Sequence, residues 1–173
     1  IINMRKFLLL LLLLPVFGWS QTKNVTSALR VFPKIDKQAE LEKALAAHAQ
    51  KYHSGDWKWR VFSIQSGKDF GGYHITEGPV TWDMLDTRGN LGTEHDMDWK
   101  KNVTPFLSQE AQHTYSVYQE SLSTVALGDY SDKIIITHHY PKPGYAGDFR
   151  ALLVKMKKAW EAGGSTVAVY SAA

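Results

Sequence analysis

The chain contains no cysteine among its 173 residues. Disulfide bonds and thiol chemistry are therefore excluded, although an exported protein would meet an oxidising compartment in which disulfides form. A lipid-modified cysteine as a membrane anchor is excluded on the same ground. Stability must come from a packed core, and the chain is long enough to form one within a single domain.

Long hydrophobic runs are also scarce. The leucine-rich run at 7–17 is well short of the roughly 20 residues that a membrane-spanning helix needs. It follows Arg5 and Lys6 and precedes Gly18 and Ser20, which is the pattern of a secretory signal peptide. We expect residues 1–20 to be removed after Ser20, leaving 21–173 as one secreted or periplasmic domain. An uncleaved signal anchor is the alternative.

A large excess of one charge is missing as well. Of the 20 Lys and Arg residues, two lie in the signal segment, which leaves 18 against 17 Asp and Glu residues. The one basic cluster, Lys155, Lys157 and Lys158, falls on the outer side of an amphipathic helix. The composition therefore gives no support to nucleic acid as a partner.

Recognisable catalytic motifs are absent from the sequence. No Gly-x-Ser-x-Gly segment is present to position a serine nucleophile. The glycine pairs Gly71-Gly72 and Gly163-Gly164 are typical of turns and do not form a phosphate-binding loop. The sequence predicts no organic cofactor.

What the chain does contain is an internal repeat at an offset of 108 positions. Phe32-Pro33-Lys34 returns as Tyr140-Pro141-Lys142. The same offset pairs Leu45 with Leu153, Tyr52 with Trp160, Gly55 with Gly163, Val61 with Val169 and Phe62 with Tyr170. Each copy has the pattern of a strand, a helix and a second strand, so the repeat governs the fold prediction.

The first copy predicts strands at 28–33 and 58–66, with a hairpin partner at 70–77. Its helix carries one apolar stripe, formed by Leu41, Leu45, His48 and Tyr52. The second copy predicts a central strand at 133–141, because Ile134, Ile135 and Ile136 are consecutive, and a last strand at 165–171. Its helix stripe is formed by Phe149, Leu152, Leu153, Met156 and Trp160.

A helical insertion is expected between the copies, at about 79–128. A 4, 3, 4, 3 spacing indicates a helix there through Ala111, Tyr115, Tyr118, Leu122 and Val125. The alternative for 121–127 is a strand, because that segment is rich in β-branched residues.

Two βαβ units in one small domain predict an α+β, ferredoxin-like antiparallel sheet in which the units interleave. The expected strand order is 165–171, 28–33, 133–141, 58–66 and 70–77. Both repeat helices then cover one sheet face. The other face carries large side chains and is expected to be covered by the insertion or by a second subunit.

On the repeat units, 28–66 and 133–171, the chain resembles the dimeric α/β-barrel superfamily, in which ferredoxin-like subunits pair sheet to sheet. Within it, the chain is most similar to the NIPSNAP-like and antibiotic-biosynthesis-monooxygenase-like group. The resemblance implies a homodimer with a cavity on the sheet face. Members that act on small aromatic or polyketide substrates use that cavity without metal or organic cofactor.

The histidines are candidate metal ligands. Glu94 and Asp98 have helical ligand spacing, but His95 points elsewhere, and the adjacent His138 and His139 must face opposite sides of a strand. His48 lies on a core stripe, where packing is the simpler explanation. The sequence therefore predicts no metal site.

If Tyr73 and Ile75 face the helices, alternation places His74 on the open sheet face, where the cavity is expected, and His139 is expected to face it from the central strand. His74 and His139 are the candidate catalytic bases, since an unperturbed imidazole titrates near neutral pH. The candidate ligand-binding residues are Tyr73, His74, Trp82 and His139. The expected function is binding of a small apolar or aromatic molecule, or of a protein partner, without catalysis. The alternatives are a cofactor-independent oxygenase or isomerase in the cavity, and an interaction module of the cell envelope.

Overall fold

The computed structural model of the chain describes residues 22–88 and 91–173, so the expected signal peptide lies outside the described residues. The strands are β1 Val25–Val31, β2 Arg60–Ser63, β3 Tyr73–Val80, β4 Gln112–Tyr118 and β5 Tyr170–Ala172. The helices are α1 Gln38–Tyr52, α2 Trp82–Arg88, α3 Thr93–Asp98 and α4 Ala146–Ala162. A π-helical turn, Trp99–Val103, and a 3₁₀ turn, Thr104–Phe106, continue α3.

The five strands form one antiparallel sheet in the order β2-β3-β1-β4-β5. Because β3 is antiparallel to both of its neighbours, β1 and β2 run parallel with β3 between them. By the same reasoning β3 and β4 run parallel on either side of β1. Two βαβ units therefore interleave in one sheet, which confirms the predicted α+β, ferredoxin-like fold.

The second βαβ unit is not the one that the repeat predicted. It consists of β3, the helical segment from α2 to the 3₁₀ turn, and β4. The neighbours of β1 are β3 and β4, so the expected pairing of 28–33 with 133–141 is wrong, and so is the expected strand order. The hairpin of β2 with β3 is confirmed.

The segment expected to be a helical insertion, 79–128, is helical over much of its first half and then supplies β4. The residues Ala111, Tyr115 and Tyr118 have helical spacing, yet they precede or lie in this strand. Thr, Tyr and Val dominate the segment and favour a pleated, half-buried surface. Pairing along β1, from Val25 with Val117 to Arg30 with Gln112, then selects the strand.

The predicted central strand at 133–141 forms no strand in the structure. Its side chains are exposed, and Ile135 reaches 96% of full exposure. Arg30 of β1 and His138 are in contact, with Arg30 Nη2 lying 3.0 Å from His138 Nε2. This segment has strand propensity but no ladder partner, because both neighbours of β1 are already in place.

The core lies between α1 and the face of the sheet that α1 covers. It is formed by Val31, Leu41, Leu45, Tyr73, Ile75, Val103 and Leu107. The predicted stripe of α1 is confirmed, since Leu41, Leu45 and His48 are its buried residues. By contrast, α4 has no buried residue, and its predicted stripe is only partly covered. Among the described helices, none combines the length and apolar character needed to cross a membrane.

Candidate functional site

A cavity of about 300 Å³ lies between the sheet and the helical segments that cover one of its faces. Odd-numbered residues of a strand share a face, which brings β1, β3 and β4 side chains into one wall. The apolar lining is formed by Leu29, Trp59, Ile75, Trp99 and Ala111. The polar lining includes Ser27, His48, Glu77, His95 and His113.

Three histidines from separate segments meet beside this cavity. His48 lies on the buried stripe of α1, His53 follows the last residue of that helix, and His95 lies in α3. The His53 backbone N–H donates to Ala49 O at 2.8 Å, which ends α1 and turns the His53 ring back toward His48. One ligand atom from each of the three rings lies within 4.8 Å of the others.

Each of the three rings has a carboxylate at its Nδ1 atom. His48 Nδ1 lies 2.7 Å from Asp98 Oδ2, and His53 Nδ1 lies 2.8 Å from Glu77 Oε1. His95 Nδ1 lies 3.2 Å from Asp96 Oδ1. An ionised carboxylate can only accept, so these bonds place the protons on Nδ1 and leave lone pairs on Nε2. At His53, Arg88 Nη2 also lies 3.2 Å from Nδ1, and the shorter bond to Glu77 decides the tautomer.

The Nε2 atoms are therefore the ring nitrogens that no carboxylate binds. His48 Nε2 lies 3.2 Å from His95 Nε2. His53 Nε2 is buried and has no hydrogen-bond partner, and the His53 side chain is 5% exposed. Imidazole lone pairs that converge in this way suit a bound cation or a polar ligand.

The carboxylates are themselves held in place. Arg88 Nη1 donates to Glu77 Oε2 at 2.6 Å, and the Arg88 guanidinium stacks over the Trp57 ring at 4.1 Å. Asn102 Nδ2 donates to Asp98 Oδ1 at 2.9 Å. Side chains fixed by such partners keep a site in one geometry before a ligand arrives.

Burial sets the protonation of the cluster. It lowers the pKa of His48 and of His53, although the bonds to Asp98 and Glu77 oppose the shift. Burial would raise the pKa of Glu77, but the hydrogen bonds from His53 and Arg88 lower it overall. The bond from His48 lowers the pKa of Asp98. At neutral pH His48 and His53 are therefore neutral, and Glu77 and Asp98 are ionised.

Aromatic rings enclose the cluster on the remaining sides. The His53 and Trp59 ring centroids are 4.0 Å apart, and the His48 ring lies 5.3 Å from that of Trp99. Tyr52 packs edge-on against His95 at 5.1 Å. These walls keep bulk water away from the Nε2 atoms and strengthen electrostatic interactions there.

A second polar pair lies in the cavity wall. Ser27 Oγ and His113 Nε2 are 2.7 Å apart, on the paired strands β1 and β4. The His113 ring also contacts the Tyr115 ring at a centroid distance of 4.7 Å. A hydroxyl and an imidazole at this distance can exchange a proton, so the pair is a candidate acid–base group.

The four sequence-predicted site residues are dispersed, and none of them lines the cavity. Tyr73 lies in the core, where it donates to Glu42, and burial raises the pKa of Tyr73 to about 12. Trp82 begins α2 with its ring 6.0 Å from that of Tyr115. His139 is exposed, with its ring 5.8 Å from that of Phe149.

His74 lies on the sheet face away from the helices, as its alternation with Ile75 predicted. The cavity was expected on that same face, whereas the observed cavity lies on the opposite face, between the sheet and the helices, so His74 does not line it. Its Nδ1 is buried without a partner. Burial, together with the charge of Arg30 and the nearby His138, lowers the pKa of His74 to about 4. A neutral, buried imidazole here is compatible with the predicted role as a base, and that role stays a prediction.

Sequence reasoning missed His53, His113, Trp59 and Trp99, and it assigned His48 to packing alone. The available signal was weak, because the three histidines come from α1, the position after it, and a helix 40 positions later. Only Asp96 adjoins its histidine in sequence, and the pairings of His48 with Asp98 and of His53 with Glu77 depend on how α1 packs against α3 and β3.

Fold and site together define a ferredoxin-like α+β protein with a histidine-lined cavity between its sheet and its helices. No family model and no curated protein matches the chain. Solved structures do match, and they include antibiotic-biosynthesis-monooxygenase-like proteins, the group that the sequence analysis named.

One match is a candidate antibiotic biosynthesis monooxygenase from Nitrosomonas europaea, 15% identical, with a TM-score of 0.42 over 56% of this chain and 91% of that one. A second is Rv0793 from Mycobacterium tuberculosis, 17% identical, with a TM-score of 0.39 over 53% and 90%. A third is a candidate monooxygenase of the same kind from Caulobacter crescentus, 19% identical, with a TM-score of 0.40 over 53% and 85%.

Proposed function

We propose that the protein binds a small, largely apolar or aromatic molecule in the cavity between the sheet and α1. The observation that carries this proposal is the composition of the cavity wall. Leu29, Ile75 and Ala111 give apolar surface, while Trp59 and Trp99 give flat rings on which an aromatic group can stack. The volume, about 300 Å³, is at the lower end of the range for small-molecule sites.

The polar groups of the cavity provide orientation. His48, His95 and Glu77 lie on one side, and Ser27 with His113 lies in the strand wall. A few convergent polar groups in an apolar pocket are typical of specific ligand sites. A ligand with one hydrogen-bonding or metal-binding substituent on an aromatic body fits this arrangement.

The second candidate function is an enzyme, an oxygenase or isomerase that acts on such a molecule. The observation that favours it is the Ser27–His113 pair at 2.7 Å in the cavity wall. In this version His113 is the base that removes a proton from the bound molecule, in place of His74 or His139. Oxygen consumption, or conversion of the bound molecule to an isomer of the same mass, that is lost in His113→Gln would support the enzyme.

The binding proposal is tested by screening small aromatic acids and phenols for thermal stabilisation, followed by calorimetry on the hits. Ala111→Leu fills part of the cavity and is expected to weaken binding at least tenfold, because the three added carbons displace the ligand. Ala126→Leu, at an exposed alanine, is the matched control. Equal affinity in both variants would place the ligand elsewhere and contradict the proposal.

We also propose that the protein is a homodimer. The exposed Ile134, Ile135 and Ile136 and the exposed side chains Leu152 and Val154 of α4 support this. A single subunit leaves this apolar surface in water, which monomeric proteins seldom do. A second copy of the chain can cover it, as the family resemblance implies.

Export is the remaining proposal, and it rests on the sequence pattern of residues 1–20. Arg5 and Lys6, the apolar run and the small residues Gly18 and Ser20 support it. The N-terminal sequence of protein isolated from its native source tests it. A mature chain that begins at Gln21 is expected, whereas an intact N-terminus would contradict cleavage.

A further inference from the structure

We propose that His48, His53 and His95 bind one divalent transition-metal ion of the class that Zn²⁺ represents, each through its Nε2 atom. This site goes beyond the small-molecule binding proposed above and does not depend on it. The proposal stands on the positions of the three rings, on their outer partners, and on a buried nitrogen that no protein group satisfies.

The first argument comes from the hydrogen bonds at Nδ1. Asp98, Glu77 and Asp96 accept from the three rings, so each Nε2 atom presents a lone pair to the centre. His48 Nε2 and His95 Nε2 then face each other at 3.2 Å. Two lone pairs at that distance repel unless a cation lies close to both.

The second argument is the unsatisfied nitrogen of His53. Buried polar atoms almost always have a partner, and each exception requires an explanation. His53 Nε2 has no partner, although its ring is nearly inaccessible to solvent. His53 also offers one of the three ring nitrogens that lie within 4.8 Å of one another. A metal ion between the rings supplies the missing partner.

The third argument is geometric. Zinc binds imidazole nitrogen at about 2.0–2.1 Å in a tetrahedral arrangement, which separates two nitrogen ligands by about 3.3 Å. The 3.2 Å distance between His48 and His95 already matches this value. A shift of the His53 nitrogen by up to about 1.5 Å would complete the set, because all three ring nitrogens lie within 4.8 Å of one another and a tetrahedral site separates them by about 3.3 Å.

The fourth argument is the set of carboxylates that accept hydrogen bonds from the Nδ1 atoms of the three rings. Histidines that bind metals characteristically donate their other N–H to a carboxylate, which fixes the ring and increases its basicity. All three rings have such a carboxylate here, and Arg88 and Asn102 hold two of the carboxylates. Ordinary packed histidines have no need of a carboxylate each.

The ligand set also limits the metal and the role. Three imidazoles without thiolate suit Zn²⁺, Cu²⁺, Ni²⁺ or Co²⁺ and disfavour Mg²⁺ or Ca²⁺, which prefer oxygen. His48 and His95 line the cavity as well as the cluster. We infer that the fourth coordination position opens on the cavity, the arrangement of zinc sites that bind substrates.

The competing explanation needs no metal. One ring can take up a second proton and donate it from Nε2 to its neighbour, which also removes the repulsion between lone pairs. Binding measurements distinguish the two explanations, because a proton-bridged cluster has no affinity for Zn²⁺ or Co²⁺ beyond that of scattered surface histidines.

The test uses the full chain, purified without a polyhistidine tag and stripped with a chelator. Titration with Zn²⁺ at pH 7.5 is expected to give one ion per chain with a Kd below about 1 µM. Titration with Co²⁺ is expected to give the intense visible absorption of four-coordinate cobalt. A Kd weaker than about 100 µM, or cobalt that stays six-coordinate, would overturn the proposal.

Three variants locate the ion. His95→Gln, at a partly exposed position where folding is expected to survive, should weaken binding at least 100-fold. Glu77→Gln should weaken it about 10-fold to 100-fold through the lost outer partner of His53. His138→Gln, at an exposed histidine on the other sheet face, should bind as the wild type does.

Circular dichroism and the Zn²⁺-induced shift in melting temperature accompany each titration, so a folding defect is recognised as such. If His95→Gln folds and still binds one ion tightly, the proposed ligand set is wrong. Aromatic ligands are also titrated into the chelator-treated protein, so the metal-site proposal and the small-molecule proposal are tested separately. Either proposal can then be contradicted while the other stands.

Discussion

His48 Nε2 lies 3.2 Å from His95 Nε2, although the two residues are 47 positions apart in the chain. The contact exists because α1 and α3 both pack on the face of the sheet that holds the core. It places a residue of the α1 core stripe and a residue of a short helix at one point on the cavity wall. The packing of α1 that buries His48 therefore also places His48 in the site.

The first prediction concerns the core that supports the cavity. Leu45→Ala is expected to lower the free energy of unfolding by about 2–5 kcal/mol, because Leu45 is 3% exposed and its removal leaves a void beneath α1. Ile35→Ala, at a side chain that is 90% exposed, should change it by less than about 0.5 kcal/mol. Urea unfolding followed by circular dichroism measures both. Equal effects would contradict the described core.

The second prediction concerns the buried pair of Glu77 and Arg88. Arg88→Met is expected to cost about 3 kcal/mol, because it leaves the Glu77 carboxylate buried with His53 as its remaining partner. Lys23→Met removes one member of the exposed pair with Asp56 and should cost less than about 1 kcal/mol. Chemical unfolding at pH 7 compares the two. A larger loss for Lys23→Met would show that burial does not govern these pairs.

The third prediction is a pH dependence of stability due to His74. Its pKa is about 4 in the folded protein and about 6.5 when unfolded, so the unfolded chain takes up the proton first as the pH falls. The stability contribution of neutral His74 is complete above about pH 6.5 and is lost as the pH falls toward 4. The loss is at most about 3 kcal/mol, at about 1.4 kcal/mol per pKa unit.

The measurement is the free energy of unfolding at several pH values between 4 and 7. His74→Gln should lose less stability over that range than the wild type, since glutamine cannot be protonated. Arg30 and His138 are the charged or titratable groups that lower the pKa of His74, and both are retained in this variant. His139→Gln, at an exposed histidine, is the control. A parallel pH dependence in His74→Gln and the wild type would refute the assignment.

The fourth prediction concerns the exposed isoleucine segment, 134–136. If a second copy covers it, the wild type should have twice the chain mass by light scattering at micromolar concentration. Ile135→Lys should shift the equilibrium toward the monomer, because it places a charge in an apolar interface. Lys133→Gln, two residues away on the exposed chain, should leave the mass unchanged. A wild-type monomer would contradict the dimer.

Local sequence patterns correctly predicted the helices and strands whose spacing of apolar residues fits only one periodicity. The stripe of Leu41, Leu45 and His48 correctly placed a helix against the core, because only a period near 3.6 residues puts these positions on one face. Alternation correctly predicted that Tyr73 and Ile75 face the helices while His74 faces away. The hairpin of β2 with β3 followed from the short turn between two strand-like segments.

The same patterns failed where two periodicities fit. Tyr115 and Tyr118 are three positions apart, which is compatible with a helix stripe and with a short strand that alternates imperfectly. Strand propensity at Ile134, Ile135 and Ile136 was higher than anywhere else, yet a strand also needs a free neighbour with which to pair. β4 occupies that position beside β1, so the strongest local signal lies outside the sheet.

The sequence by itself determined the face of α1 that is buried and the exclusion of thiol chemistry, because short-range periodicity and composition decide these. It also predicted the fold class, although the second βαβ unit is not the one that the repeat indicated. Only the tertiary structure decided which strand lies beside β1 and which histidines meet. His48 and His53, which lie in and just after α1, meet His95 of α3, and they take their carboxylates from Asp98 and Glu77, which are 50 and 24 positions away in the chain. Such contacts depend on how the helices pack over the sheet, and no local spacing encodes that arrangement.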